Sequence, residues 1–294
     1  NDGSLLNFFR EKGCKTIGVE PTGAYKDVKR GHTVYNNYFD SDFIRKFREK
    51  NKIDLITFTN VFAHIDNLNL LILNLKRVLS KNTTIIIENH YMGSVLKKNQ
   101  FDTFYHEHPR TYSLKSFIFI SKRLGLDILN IKFPKRYGGN IRVTMGRKKT
   151  KSKNKFLKIL KKENNFLKNF KELNMNIHKW KKRKREIILK NFHKNGKILA
   201  KAFPGRAAIL IKLLNIDERI ISGVFEKPNS KKIGYCIPGT KIPIFSDKKL
   251  FKLMKKKKII LNLAWHIEDE IKSYLKQNKF KGRVINILDR SDYV

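Results

Sequence analysis

Four ionisable or hydrogen-bonding side chains stand in consecutive positions at Tyr105, His106, Glu107 and His108. A histidine beside a carboxylate is held in one tautomer with a proton affinity near the working pH, which is what proton transfer requires. The same residue types also suit a metal ion or a purely structural hydrogen-bonded cluster. No third ligand stands at a recognisable spacing for the metal.

Three further groups carry residues of chemical interest. The run Asp54 to Asp66, DLITFTNVFAHID, is an apolar strand whose end delivers Asn60, Phe62 and His64 into a loop, where open α/β sheets bind ligands. The alternative for His64 is a helix cap or a surface position. Near the N-terminus, Asn1, Asp2 and Gly3 open a helix, and Glu20 follows a short strand containing Gly18. A glycine-rich turn and an acidic strand end are the parts of a nucleoside site, because the carboxylate accepts hydrogen bonds from both ribose hydroxyls. In Tyr137-Gly138-Gly139-Asn140-Ile141-Arg142-Val143 two glycines precede a strand, permitting either close approach to a ligand or an ordinary turn.

The elements that must position these groups read as βαβ order. Strands are expected at Thr16 to Glu20, Asp54 to Thr59 and Thr83 to Glu88, and helices at Ser4 to Lys12, Asp42 to Asn51 and Leu68 to Leu79. Strands that are continuous apolar runs imply a parallel sheet covered on both faces. A second alternation starts near Asn195, with strands at Lys197 to Lys201, Ile220 to Phe225, Lys258 to Leu263 and Arg283 to Ile287, and helices at Ala207 to Leu214 and Ile267 to Asn278. We expect an α/β domain over 1–146, a basic helical connector over 147–195 and a second α/β domain over 196–294. In the connector, Phe156, Leu160, Leu167, Phe170, Leu173, Ile177 and Trp180 recur at helical spacing, predicting one buried stripe.

The 294 residues are 40 % hydrophobic, enough for two cores, and 65 Lys plus Arg against 25 Asp plus Glu give a formal net charge of +40. Residues 147–185 hold 17 of those basic residues against Glu163 and Glu172. Nucleic acid is the partner such charge first suggests. However, 49 of the basic residues are lysine and 16 arginine, and Asn and Ile abound, a pattern AT-rich coding alone produces. Cys14 and Cys236 form neither a disulfide framework nor a zinc motif, so a cytoplasmic protein is expected. No apolar stretch approaches a bilayer span, so no membrane partner is expected.

Taken in order, NDGSLL, GVEPT, TNVFAHIDN, FYHEHPRTYSLKSFIFISKRLGL, YGGNIRVTMG, AKAFPGRAAILIKLLNI, IPGTKIPI and LAWHIEDEI resemble the sugar C-methyltransferases. The resemblance covers nearly the whole chain. It implies a Rossmann-like class I methyltransferase sheet with a second C-terminal α/β domain, S-adenosylmethionine as methyl donor, and a nucleotide-linked 4-keto deoxysugar methylated at C3. It places the methyl-donor site on Asn1, Asp2, Gly3, Glu20, Asn60 and Phe62. His108 becomes the base, with Tyr105, Glu107 and His64 as the other pocket residues and no metal in this chain. It further implies a monomer, and a preceding first strand and cysteine-rich zinc-binding domain, so that the chain is a fragment of a longer protein. One departure stands in the C-terminal half, where the family's Gly-Ala-x-Ala-Lys-Gly turn reads Ala-Phe-Pro-Gly-Arg206-Ala.

Two other functions compete: a nucleic-acid-binding protein or nucleic-acid methyltransferase using the 147–185 run, and an inactive fragment. Against nucleic acid, Phe156, Phe166, Phe170 and Trp180 fit one buried stripe better than a base-stacking surface.

Overall fold

The computed structural model describes residues 2–48, 52–147, 153–289 and Asp292. In chain order the helices and strands begin with α1 (Ser4–Glu11), β1 (Ile17–Val19), β2 (Thr33–Tyr35), α2 (Ser41–Arg48), β3 (Leu55–Thr59), α3 (Leu68–Val78) and β4 (Thr84–His90). Next come α4 (Met92–Lys97), α5 (Leu114–Leu124), β5 (Asp127–Lys132), β6 (Asn140–Gly146), α6 (Lys153–Glu163) and α7 (Phe166–Asn195). The chain ends with β7 (Ile198–Lys201), α8 (Ala207–Leu214), β8 (Ile221–Glu226), β9 (Ile244–Ser246), α9 (Asp247–Leu253), β10 (Ile259–Asn262), α10 (Glu268–Gln277) and β11 (Arg283–Asn286). Packing divides these into two compact units. The first holds Asn1–His90, Pro109–Arg136 and Asn140–Leu160; the second holds Tyr91–His108, Tyr137–Gly139 and Lys161–Val294. The Tyr105–His108 block therefore packs with the second unit, although it precedes residue 146.

In the first unit β1 and β2 form a parallel pair, and a four-stranded sheet runs β3-β4-β6-β5. The second sheet is mixed, not parallel throughout as its apolar runs suggest: β3 and β4 are parallel, whereas β6 is antiparallel to both β4 and β5. Only seven residues separate Lys132 from Asn140, and a parallel return needs a crossover of about a dozen or more. Ile85, Ile87, Ile141, Val143 and Met145 are wholly enclosed, as are Leu75 of α3 and Phe117 of α5, which explains why these strands carry almost unbroken apolar sequence.

The second unit is built on five parallel strands in the order β11-β10-β7-β8-β9. Every residue of β7 and β10 is buried, between one hydrophobic cluster that includes Trp180, Ile188 and Leu210 and another that includes Leu250, Ile271 and Leu275. At the end of β7 the sheet also buries a charge. Lys201 Nζ donates to Asp247 Oδ1 and Oδ2 at 2.9 and 2.8 Å and to the Phe225 carbonyl at 3.1 Å. The Tyr274 hydroxyl adds a bond to Asp247 Oδ2 at 2.8 Å, so the pair's lone pairs are largely satisfied, the condition on which a buried ion pair is tolerated.

The basic connector is helical, and its buried stripe matches the expected one in part, since Leu173 and Trp180 are buried and Ile177 packs against the same core. Leu173, Trp180, Lys184 and Ile188 face inward on α7, whereas Leu167 is 73 % exposed and Phe170 38 %. Both lie in α7 with Leu173, and steps of three at 3.6 residues per turn carry Phe170 about 60° and Leu167 about 120° round the helix from it, off the buried face. No helix of the described residues is long and apolar enough to cross a membrane.

Candidate active site

The Tyr105–His108 block is a tight turn in which the His108 N–H donates to the Tyr105 carbonyl at 2.8 Å. That closure brings the two rings into contact, centroids 4.5 Å apart and planes tilted by 52°. The turn is anchored upstream by the 3₁₀ segment Phe101–Thr103, whose Phe101 packs on Trp180 with ring centroids 4.9 Å apart.

Hydrogen bonding assigns the tautomer of His108. Its Nδ1 lies 3.3 Å from the Thr103 carbonyl, which can only accept, so Nδ1 carries the proton. In that tautomer Nε2 is the acceptor, 3.5 Å from the Tyr105 hydroxyl. Burial, the Glu107 carboxylate and a hydrogen bond to it push the Tyr105 phenol up to about 12, against the opposing charge of Arg206. Tyr105 is thus a persistent O–H donor beside an imidazole base.

Arg206 brings a second set of residues to the same unit. It precedes α8, in the loop after β7, and its Nη1 lies 3.3 Å from Asp102 Oδ2, while its guanidinium carbon stands 4.8 Å from the centre of the Trp265 ring. Trp265 and His266 follow β10. Strands β7 and β10 are neighbours whose successors lie on opposite sides of the sheet, which makes this the topological switch point where open α/β sheets leave a crevice. A cavity of about 580 Å³ there is lined by Gln100, Asp102, Arg206, Trp265 and His266, with the acidic run Glu268 to Glu270 at its side.

Asp102 is 2 % exposed, and its Oδ1 has no hydrogen-bond partner among the described residues. Burial holds its carboxyl above the usual carboxylate range, although the Arg206 charge opposes this. A raised folded-state value contributes stability at low pH that is lost as pH rises through it. Asp102→Asn is therefore expected to be at least as stable as the parent near pH 7, and to lose ground to it on acidification to about pH 4. Thermal melts of both proteins across that range check the sign.

The first unit holds the remaining sequence candidates. Glu20, just past β1, accepts bonds at Oε1 from the Thr22 N–H at 2.9 Å and the Thr22 hydroxyl at 2.7 Å. Asp2 accepts from the Ser4 N–H and hydroxyl at 3.0 and 2.7 Å, which hold its carboxyl below the usual range. Gly3 has φ 74°, and a Cβ there would lie 2.7 Å from a Val28 methyl. Asn1 lies outside the described residues.

Asn60 ends β3 in the left-handed region, φ 54°, with its N–H on the Glu88 carbonyl at 2.8 Å. Its side-chain oxygen accepts from Asn140 Nδ2 at 3.2 Å, and Glu88 accepts from Asn140 Nδ2 at 2.9 Å and Arg142 Nε at 2.6 Å. Arg110 clasps the carbonyls of Ile65 and Asp66 at 2.5 and 2.7 Å, and the Tyr112 hydroxyl donates to the Phe62 carbonyl at 3.2 Å. Phe62 has no exposed surface and packs against Phe58 and Tyr112, so it shapes this loop from beneath. His64 is exposed at the end of the loop's 3₁₀ turn.

Tyr105, Glu107 and His108 thus come together in one turn of the second unit, and Asn60, Phe62 and His64 in one loop of the first. Asp102, Arg206, Trp265 and His266 were missed as a group, as was the Glu88–Asn140–Arg142 network. A signal for the network was available: a carboxylate ending a buried apolar strand needs a donor partner, and Asn140 and Arg142 alternate onto one face. The paired glycines serve packing, since a Cβ on Gly138 would meet Gln100 at 1.8 Å and one on Gly139 would meet Ser94 at 2.5 Å.

A methyl-donor nucleoside fits this donor set. Glu20 offers a carboxylate and Asn60 a left-handed turn, each at the carboxyl end of a parallel strand, and Oδ1 of buried Asn140 has no partner among the described residues. Among the described residues no group of three or more His, Cys, Asp or Glu could hold a metal ion.

Residues 1–131 match a methyltransferase-domain family, and residues 135–288 match the C-methyltransferase C-terminal domain. The chain is 26 % identical over 144 residues to the C-methyltransferase NovU of Streptomyces niveus, covering 48 % of this chain and 34 % of NovU. It thus spans about a third of that relative's length. Similar solved structures include a SAM-dependent methyltransferase from Archaeoglobus fulgidus, with TM-score 0.41 and 14 % identity over 49 % of this chain and 81 % of that one. Another is a putative type 11 methyltransferase from Sulfolobus solfataricus, with TM-score 0.39 and 18 % identity over 51 % and 81 %.

Proposed function

Because the chain belongs to the family defined by the C-methyltransferase C-terminal domain, we propose that it transfers a methyl group from S-adenosylmethionine to carbon of a nucleotide-linked keto-deoxysugar. The observation that carries this reading is His108, with Nδ1 turned to the Thr103 carbonyl and Nε2 turned to the Tyr105 hydroxyl.

A proton α to a ketone is far too weakly acidic to leave unaided at neutral pH. His108 Nε2 takes it, and the electron pair moves onto the ketone oxygen as an enolate. Tyr105, kept protonated, turns its one O–H from the Glu107 carboxylate to that oxygen as its charge develops. Glu107 holds Tyr105 in its donor form. Arg206, fixed between Asp102 and Trp265, binds the diphosphate at the switch point of the second unit's sheet.

S-adenosylmethionine would supply the sulfonium methyl, its carbon–sulfur bond breaking as the bond to the sugar carbon forms, and leave as S-adenosylhomocysteine. Asp2, Gly3, Glu20 and the Asn60 loop, with Asn1, hold it in the first unit, while Phe62 supports that loop from below and His64 closes it. Residues 1–146 supply the donor site and 196–294 the sugar-nucleotide site.

Calorimetric titration with S-adenosylhomocysteine tests the donor site. Micromolar binding by the full chain is expected, weakened about a hundredfold by Glu20→Ala, since two charge-assisted ribose hydrogen bonds are lost. Equal affinity in the two proteins would remove Glu20 from the site. Mass spectrometry of keto-sugar nucleotides incubated with the protein and labelled methyl donor tests the acceptor. Label bound to carbon supports the proposal, and label on oxygen or on no sugar refutes it.

A further inference from the structure

We propose that the solvent-facing side of α7 docks this protein on an anionic lipid surface, a property beyond the transfer reaction. The helix is 30 residues long and buries one face through Leu173, Trp180 and Ile188. On the opposite side it exposes large apolar groups that none of the described residues covers: Leu167 is 73 % exposed and Met175 55 %, with Phe170 at the margin at 38 %. Lys168, Lys171, Lys179 and Lys182 share that side and are exposed. Two acids share that side, Glu172, 4.0 Å from Lys168, and exposed Glu186 one turn beyond Lys182, so the four lysines leave the patch net positive.

Apolar tips set among lysines are the pattern of a helix that lies in the membrane interface, with the apolar groups reaching the acyl boundary and the ammonium groups among anionic headgroups. The lysine stems are themselves apolar and extend the contact. Charge complementarity selects an anionic surface, and a net charge of +40 argues against a second copy of this chain.

Nucleic acid would also meet the charge, but the side chains favour lipid. Sequence-tolerant binding to single strands uses exposed aromatic platforms, and Trp180 is turned inward onto Phe101. The groups that project most, Leu167 and Met175, have no ring to stack on a base. Lysine also outnumbers arginine along α7, eight to two, and lacks the planar fork used in groove and phosphate readout.

Co-sedimentation of the full chain with phosphatidylserine–phosphatidylcholine vesicles, against pure phosphatidylcholine, tests this near physiological salt. Binding to the anionic vesicles alone is expected. Leu167→Gln with Met175→Gln leaves the charge unchanged and should weaken partition about tenfold, by loss of apolar insertion. Glutamine at Lys168, Lys171, Lys179 and Lys182 should weaken it about a hundredfold. The same number of charges removed at Lys241, Lys248, Lys252 and Lys255 should leave it nearly intact.

The proposal fails if the wild type ignores anionic vesicles, if the charge-preserving variant binds as well as the parent, or if the distant lysine variant loses as much as the patch variant. Patch-dependent binding of single-stranded RNA without vesicle binding would replace the lipid surface with a nucleic-acid one. All substituted side chains are exposed, and unchanged helical circular dichroism confirms that each variant is folded.

Discussion

Replacing His108 with alanine is expected to lower methyl transfer about a thousandfold while leaving S-adenosylhomocysteine affinity unchanged. The size follows from what a positioned general base contributes, about two to four powers of ten. The selectivity follows from the proposed contacts, because the donor nucleoside is held by Glu20 and the Asn60 loop and takes no hydrogen bond from His108. Deuterium exchange at the carbon α to the ketone should fall with it. Added imidazole should restore part of the lost rate, since the Thr103 carbonyl that orients Nδ1 remains in place. Tyr105→Phe should cost less, because it removes a donor to the enolate but keeps the base. Retention of turnover within about tenfold of the parent would exclude His108 as the base.

The largest effect on stability is expected at the buried ion pair that ends β7. Asp247→Ala leaves Lys201, which is 1 % exposed, with the Phe225 carbonyl as its hydrogen-bond acceptor, and takes the acceptor from the Tyr274 hydroxyl. Breaking such a pair costs about 3–5 kcal/mol, a large part of the about 5–15 kcal/mol that holds a domain folded. Removing both charges, Lys201→Met with Asp247→Leu, should restore most of the loss, since a hydrophobic pair of similar volume meets no desolvation penalty. Urea unfolding midpoints of the parent, single and double variants measure this directly. A single-variant loss under about 1 kcal/mol would show that water reaches Lys201. The loop carrying Arg206 leaves β7 directly after Lys201, so the single variant should also weaken sugar-nucleotide binding, and the repacked double variant should recover it.

Much of the architecture was legible because it is local. Ala207 to Leu214 is a helix with the bounds its apolar spacing indicates, and Ile17–Val19, Leu55–Thr59 and Arg283–Asn286 fall inside their expected runs. Each follows from periodicity and turn chemistry within a few residues. The misread part of the stripe on α7 has the opposite cause: helical phase accumulates along the chain, and steps of three from Leu173 back to Phe170 and Leu167 turn about 60° each away from the buried face. The direction of β6 was hidden too, because an apolar run buried on both faces reads the same in either direction.

The same division runs through the site. By itself the sequence determined that Tyr105 and His108 meet, since residues three apart in a tight turn come together whatever the rest of the chain does. It also determined the acidic and glycine positions around Glu20 and Gly3. Only the tertiary structure decided that Asp102, Arg206 and Trp265 share one cavity, or that Glu88 answers Asn140 and Arg142. Those contacts join distant segments, and strand order makes them. β7 and β10 become neighbours through pairing energies summed over the whole sheet, and no residue near Arg206 or Trp265 records that choice.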